Sequence, residues 1–183
     1  MKAVIGLGNP GERYARTRHN LGRMAVRAFL ERLPPLSPHE HDFSVVYRTD
    51  QTLIVEPLVY MNLSGVAVGE ICQRYALPPH DLLIVYDDYS LPFGRLRAKA
   101  KGGAGGHHGM ESIIEALQTE EIPRLRLGIG SEQPLRELSD YVLAPFSEEE
   151  AQHLPEFLAR AAAAIECFVQ HGIEAVMNRF NVR

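Results

Sequence analysis

The 183-residue chain lacks most of the features that mark secreted, membrane and metal-binding proteins. It contains two cysteines, Cys72 and Cys167, which are too far apart to match a metal-binding motif. We expect both to be reduced thiols of a cytoplasmic protein. Between Met1 and Asn9 lie one lysine and six further residues, a run too short for a signal-peptide core. No later run could span a bilayer, so we expect no membrane partner.

Several catalytic and cofactor motifs are also missing from the chain. There is no H-E-x-x-H sequence and no G-x-S-x-G sequence, which argues against a zinc protease and a serine hydrolase. His107 and His108 are adjacent, so their side chains point in different directions and do not form a ligand pair. We therefore expect no metal. Repeats, low-complexity segments and linkers are absent as well, which favours a single domain over residues 1–183.

Composition and charge are those of an ordinary soluble protein with an uneven distribution of charge. Hydrophobic residues make up 45% of the chain and charged residues 23%, and the net charge is −4. That value alone argues against a nucleic-acid partner. However, residues 1–101 hold 13 basic against 10 acidic residues, whereas residues 102–183 hold 6 against 13. One basic surface in the first part is sufficient for phosphate contacts.

Strand-like and helix-like patterns alternate along the chain. They predict a single α/β domain with a mixed, mostly parallel twisted sheet flanked by helices, and a C-terminal helical segment. We expect a helix from about residue 21 with Asn20 as its N-cap. A capping box at Ser147 and Glu150 should open the C-terminal helix, which Pro155 should kink or restart. Strands are expected at 2–7, 43–48, 52–56, 82–86, 95–101 and 125–129, with further helices at about 64–76 and after the glycine-rich loop at 102–109.

The stretch GLGNPG near the start matches the G-x-G-x-x-G pattern of dinucleotide-binding proteins. That function requires a helix to begin at the glycines, so that its amide groups face a pyrophosphate. Here the next dozen residues are charged and have no helical periodicity. We therefore expect no nucleotide cofactor, and we keep a nucleotide-dependent reductase only as an alternative that a cofactor titration would test.

Polar side chains follow the first, third and fourth predicted strands. His19 precedes a helix whose positive end disfavours an imidazolium, so the ring is expected to accept a proton; it could equally be a surface histidine. Asp87 follows a core strand and could orient a histidine, or simply belong to a turn. The amide of Asn62 could stabilise developing negative charge, or cap a helix.

A basic stripe precedes the glycine-rich loop. Arg95, Arg97, Lys99 and Lys101 alternate, so a strand would present all four on one face. Together with the loop and the following helix they could bind phosphates. The alternative is an edge strand protected from aggregation by its charge.

Taken in order, five motifs resemble the bacterial peptidyl-tRNA hydrolase family. They are GLGNPGERYARTRHNLG, MNLSG, DDYSLPFGRLR, KGGAGGHHGMESI and RLRLGIG. The resemblance implies hydrolysis of the ester that joins a peptide to the 3′-terminal ribose of tRNA, by a monomeric cytoplasmic enzyme without metal or cofactor. It implies a partner, peptidyl-tRNA, contacted at its acceptor end and 3′ CCA.

The resemblance also assigns roles to individual residues. It makes His19 the base that activates water and Asp87 the carboxylate that orients it, with Asn9 completing the catalytic group. Substrate-binding residues would be Tyr14, Met61, Asn62, Gly105, His107 and His108. The tRNA phosphates would contact Lys101, Arg124 and Arg126, to which the basic stripe adds Arg95, Arg97 and Lys99.

Two positions depart from the family pattern. His108 stands where the family usually has asparagine, which puts the role of that position in doubt, and Ser90 replaces a second acidic residue. Because some relatives in this family keep the fold as splicing factors, an RNA-binding module without catalysis is the main alternative. A peptide-release assay distinguishes the two.

Overall fold

Seven strands form one mixed sheet in the computed structural model, which describes residues 1–181. The strands are β1 (Lys2–Gly6), β2 (Pro38–Glu40), β3 (Ser44–Arg48), β4 (Thr52–Pro57), β5 (Leu82–Pro92), β6 (Leu96–Lys99) and β7 (Arg124–Gly130). Their order across the sheet is β2-β3-β4-β1-β5-β7-β6. The four central strands β4, β1, β5 and β7 are parallel to one another. On one side β3 pairs with β4 in the antiparallel direction, and on the other side β6 pairs with β7 in the same way.

Helices cover both faces of the sheet. They are α1 (Leu21–Leu30), α2 (Ser64–Tyr75), α3 (His108–Leu117), α4 (Leu138–Val142), α5 (Glu148–His171) and α6 (Ile173–Phe180). The side chains of β1 alternate between two hydrophobic clusters, because successive residues of a strand point to opposite faces. Val4 packs with α1, α5 and α6, and its neighbours Ala3 and Ile5 pack with α2 and α3. Within residues 1–181, none of these helices has the length and apolar character needed to cross a membrane.

The connections around β1 create a crevice at the carboxyl ends of the parallel strands. The chain runs from β1 to β4 on one side of β1 and then crosses to β5 on the other side. Open α/β sheets bind ligands at such reversals. The start of α1 can lie against β5 only because residue 22 is glycine. A Cβ at this position would lie 2.1 Å from the Val85 carbonyl oxygen. The turn that precedes α1 is therefore held beside the end of β5.

The segment that follows GLGNPG has no regular helix. Gly11 has a φ of 95°, and a short 3-10 turn over Glu12–Tyr14 comes next. The α-helix begins only at Leu21. Since no α-helix starts at these glycines, the GLGNPG turn lacks the helix N-terminus that faces the pyrophosphate in a dinucleotide-binding turn.

The predicted fold class is confirmed, while several local predictions need correction. Asn20 does not cap α1 with its side chain, which is used elsewhere in the site. Asp87 lies inside β5, which continues to Pro92, and not beyond its end. Strand β2 was not predicted, and α5 passes through Pro155 without restarting. The capping box of Ser147 and Glu150 is present as predicted.

Candidate active site

A cleft of about 540 Å³ opens at the carboxyl ends of the parallel strands. Its floor comes from the turns after β1 and β4 and from the second half of β5, its sides from the loop before α3 and from α4. The cleft is lined by Asn9, His19, Tyr60, Met61, Asn62, Tyr86, Asp87, Asp88, Tyr89, Ser90, Ala104, Gly105, Gly106, His107, His108, Glu137, Leu138, Ser139, Val142 and Leu143.

The carboxylate of Asp87 joins two histidine rings at the bottom of this cleft. Nδ1 of His19 lies 3.0 Å from Oδ1 and 2.9 Å from Oδ2 of Asp87. Nε2 of His107 lies 2.9 Å from the same Oδ1. Asp87 is 2% exposed, and His19 lies on a 3-10 turn over Arg18–Asn20 directly before α1. One buried anion therefore accepts hydrogen bonds from both rings.

The two histidines keep Asp87 ionised in spite of its burial. Burial alone would raise the pKa of this carboxyl group, because it removes water from the charged form. The interactions with His107, and then those with His19, outweigh it and lower the pKa from 3.8 to about 2. At neutral pH the group is a carboxylate that can accept hydrogen bonds and cannot donate one.

The tautomer of each ring follows from these contacts. Because an ionised carboxylate only accepts, His19 donates from Nδ1, which leaves Nε2 with a free lone pair. His107 is the N-cap of α3, where its Nδ1 accepts from the Met110 backbone N–H at 3.3 Å. Its proton is therefore on Nε2, directed at Asp87. Both nitrogens of His107 have protein partners, whereas His19 keeps one for a ligand.

Asn9 is held by three neighbours through its backbone and its side-chain oxygen. Asn20 accepts from the Asn9 N–H at 2.8 Å and donates to its carbonyl at 2.9 Å, and Arg23 donates to the same carbonyl at 3.2 Å. The side-chain Oδ1 of Asn9 accepts from the Met61 N–H at 2.7 Å. A backbone N–H can pair only with the oxygen of an amide, so Nδ2 of Asn9 is the group left to donate into the cleft.

The comparison with protein families identifies the group to which this site belongs. Residues 3–183 match the family model described as peptidyl-tRNA hydrolase. The chain belongs to the peptidyl-tRNA hydrolase family.

Individual members of the family are similar over their full lengths. The chain is 45% identical to a peptidyl-tRNA hydrolase of Symbiobacterium thermophilum, covering 98% of each protein. It is 46% identical to one of Chloroflexus aggregans, covering 99% of each. The crystal structure of the peptidyl-tRNA hydrolase of Acinetobacter baumannii superposes with a TM-score of 0.91 at 28% identity, over 100% of this chain and 95% of that one.

Within the peptidyl-tRNA hydrolase cleft, the fold brings together eight of the residues that the sequence singled out. They are Asn9, His19, Met61, Asn62, Asp87, Gly105, His107 and His108. Tyr14 is not among the lining residues; its ring packs edge-on against Tyr60, with centroids 6.2 Å apart, beside the cleft. His108 is exposed and pairs with Glu111, Nδ1 to Oε2, at 3.1 Å.

His107 differs in its contacts from the sequence expectation. It was predicted to touch substrate, yet its ring nitrogens contact Asp87 and the start of α3. The ring also packs between Tyr86 and His19, with centroid distances of 4.7 and 5.1 Å. Its geometry is that of a group which positions Asp87.

The predicted phosphate-binding cations fall into three groups. Arg95, Arg97, Lys99 and Lys101 are exposed. Within β6, Arg97 and Lys99 alternate with the buried Leu96 and Ala98, as predicted, whereas Arg95 and Lys101 lie outside the strand. Arg126 donates from Nε to Asp88 at 2.5 Å and from Nη2 to the Ser90 hydroxyl at 3.1 Å, so its charge is already paired.

Arg124 corrects the sequence prediction, because its side chain does not reach the surface. It is 1% exposed, and its guanidinium donates to the carbonyls of Ile122, Gly103 and Glu120 at 2.8–3.1 Å. These bonds connect the glycine-rich loop to the start of β7. Arg124 is a structural residue, and a phosphate cannot contact it.

His19, Asp87 and His107 are also the group among residues 1–181 that could hold a metal ion, since their donor atoms lie within 4.8 Å of one another. The 2.9–3.0 Å separations between nitrogen and oxygen are those of N–H···O hydrogen bonds. His107 has already committed its second nitrogen to the cap of α3. We therefore interpret the group as a hydrogen-bond network; metal independence stays a prediction.

Two parts of the cleft were not predicted from the sequence. One is the side formed by α4, and the other is the aromatic residue Tyr60. Tyr60 directly precedes the MNLSG motif, and that position could have suggested it. Nothing in the spacing of Leu138, Val142 and Leu143 indicated a cleft, because their contribution depends on where α4 packs. Asp88 and Ser90 line the same cleft further along β5.

Proposed function

We propose that this chain hydrolyses the ester between the peptide and the 3′-terminal ribose of peptidyl-tRNA, with His19 as the base that activates water. The observation that carries the proposal is the hydrogen-bonded pair of His19 and the buried Asp87 in a cleft of a peptidyl-tRNA hydrolase fold. The substrate follows from family membership, and the residue roles follow from the geometry.

The proton transfer uses the free nitrogen of His19. Asp87 accepts a hydrogen bond from the Nδ1–H of His19 and remains a carboxylate. Nε2 therefore acts as the proton acceptor and takes a proton from water while that water attacks the ester carbonyl. The imidazolium that forms is stabilised by the Asp87 carboxylate. It then returns the proton to the ribose oxygen as the acyl–oxygen bond breaks, which releases the peptide acid and a tRNA with a free 3′-hydroxyl.

Two amides are suited to the negative charge that develops on the carbonyl oxygen. Asn9 offers Nδ2 because its Oδ1 is occupied by the Met61 N–H. Asn62 lines the cleft on the same 3-10 turn as Met61. Donors held in place before the reaction stabilise such an oxyanion, and loss of one typically costs about 10²–10³ in rate.

The RNA side of the substrate is expected to meet an aromatic pair and the exposed cations. Tyr60 lines the cleft and packs against Tyr14, and aromatic rings stack on the unpaired bases of single-stranded RNA ends. Arg95, Arg97, Lys99 and Lys101 are the candidates for phosphate contacts. Arg126 would have to break its ion pair with Asp88 to contact a phosphate. Arg124 is buried, and we no longer include it among the candidates.

We also propose that one domain over residues 1–183 carries the whole activity, as a cytoplasmic monomer without metal or cofactor. Each catalytic group described above comes from a single chain. Size-exclusion chromatography with light scattering, with and without tRNA, tests the monomer.

The test of function is a release assay with a labelled N-acetyl-aminoacyl-tRNA, alongside a measurement of tRNA binding. We expect repeated turnovers that yield free tRNA, at a rate that EDTA does not change. Binding without release would instead indicate an RNA-binding module. A rate that EDTA abolishes and zinc restores would make His19, Asp87 and His107 metal ligands.

A further inference from the structure

Arg18 directly precedes His19 but contacts a different part of the fold. Its Nη2 donates to Oε2 of Glu150 at 2.8 Å, and its Nε donates to Oε1 at 3.4 Å. Its Nη1 donates to the Tyr141 carbonyl at 3.1 Å, and the guanidinium lies 4.0 Å from the centre of the Tyr141 ring. Arg18 is 7% exposed. All three guanidinium nitrogens are therefore engaged, in the forked geometry that arginine offers and lysine does not.

The backbone makes a second connection to the same region. The Arg18 N–H donates to the Ala144 carbonyl at 3.1 Å, and Thr17 forms an isolated antiparallel bridge with Pro145. From the other side, the Tyr141 hydroxyl donates to the Ile129 carbonyl in β7 at 2.6 Å. The segment that contains α4 is thus attached both to the turn that carries His19 and to the sheet.

These attachments matter because α4 cannot hold its own position. It has five residues, none of them buried. Helices of this length are unstable in isolation. Leu138, Ser139, Val142 and Leu143, in and next to α4, nevertheless form one wall of the cleft. The shape of that wall depends on what fixes α4.

We propose that Arg18 is a positioning residue which holds this wall in place, so that the Arg18–Glu150 ion pair governs the affinity for substrate. The proposal rests on the proposed function for the identity of the substrate. His19 itself is fixed by Asp87 in β5, and Asn9 by α1 and the turn after β4. Loosening α4 therefore weakens binding and leaves the chemical step largely intact.

Glu150 permits a matched pair of variants, because it also belongs to the capping box of α5. In Glu150→Gln the amide oxygen can still accept from the Ser147 N–H, as glutamine does in capping boxes, but the charge opposite Arg18 is lost. In Ser147→Ala the ion pair remains and the side-chain cap is lost. The first variant tests the ion pair, and the second controls for fraying of α5.

The experiment measures KM and kcat with N-acetyl-aminoacyl-tRNA, together with amide hydrogen exchange of the free protein. For Glu150→Gln we expect KM to rise about tenfold with kcat within about twofold of wild type, since a charge-assisted bond at a packed contact is lost. The amides of Tyr141, Leu143 and Ala144 should exchange about tenfold faster. Ser147→Ala should change neither readout. Arg18→Lys, which keeps the charge and loses the fork, should shift KM in the same direction.

Three results would overturn the proposal: unchanged KM and exchange in Glu150→Gln, equal effects in Ser147→Ala, or a fall in kcat with KM unchanged. Hydrogen exchange does not require turnover. If the wild-type chain released no peptide, the proposed function would fail while the exchange data still tested the attachment of α4.

Discussion

Among single residues, Asn9 shows most clearly how a backbone contact determines a chemical role. Its amide could present either oxygen or nitrogen to a substrate. The Met61 N–H can donate only to the amide oxygen of Asn9, and the hydrogen bonds of Asn20 and Arg23 fix the Asn9 backbone. Asn9 is therefore a donor to the cleft.

Asn9→Asp tests this donor with little change in shape. The new carboxylate can still accept from the Met61 N–H, but its other oxygen brings negative charge where the substrate carbonyl becomes negative. We expect the rate of peptide release to fall by about 10²–10³. Thermal unfolding close to wild type would be the control for the fold. Wild-type turnover in this variant would remove Asn9 from the oxyanion contacts.

Among the elements, β6 has one face that packs against the core and one that is exposed and basic. Leu96 and Ala98 are buried against the core, whereas Arg97 and Lys99 are exposed. β6 lies at the edge of the sheet, and the side chain of Asn181 bonds both the N–H and the carbonyl of Ala98 on its open side, at 2.7 and 2.8 Å. The outer edge of the strand is therefore hydrogen-bonded at Ala98, while the side chains of Arg97 and Lys99 remain exposed.

Arg97→Ala and Lys99→Ala test whether this face binds tRNA. Each variant should weaken binding and reduce the slope of log K against log salt concentration by about 1, because each cation displaces counterions from one phosphate. Arg74→Ala is the matched control, since Arg74 is an exposed cation on α2, paired with Glu70. Slopes unchanged from wild type, or equally reduced in the control, would place the tRNA elsewhere.

On the scale of the whole molecule, the buried Asp87 makes the free energy of unfolding depend on pH. Its pKa is about 2 in the fold against the usual 3.8, so the unfolded chain binds a proton first as the pH falls. The stabilisation is complete above about pH 5 and is lost towards about pH 2, and it amounts to about 2 kcal/mol.

Urea unfolding at these two pH values measures that contribution. Asp87→Asn lacks the titrating group, so its free energy of unfolding should fall by about 2 kcal/mol less than that of the wild type over the same interval. An equal fall in both proteins would mean that His19 and His107 do not stabilise the ionised carboxylate.

Much of the fold could be predicted from the sequence, because periodicity reports burial directly. The apolar run Leu82–Tyr86 is a core strand, and Leu21, Ala25 and Phe29 mark the buried face of α1. The exposed strand β2 has no such pattern, since its three residues pack against nothing that requires apolar side chains.

The site was predictable for residues in the last part of a parallel strand or in the turn after it, and not where tertiary contacts decide the position of a side chain. His19, Asp87 and Asn9 are on the segments that the topology brings to one edge. In contrast, the sequence did not indicate that Arg124 would be buried and bound to carbonyls, or that His107 would use both nitrogens within the protein. The sequence around a basic residue near a glycine-rich loop is the same whether its side chain is buried against carbonyls or exposed to a phosphate.

The most direct test of the central claim is peptide release by His19→Ala beside the wild type, with tRNA binding measured on the same samples. We expect release to fall by about 10²–10⁴, the usual contribution of a general base, while binding of the N-acetyl-aminoacyl-tRNA is retained. Full release by His19→Ala would contradict the claim that His19, oriented by Asp87, activates the water.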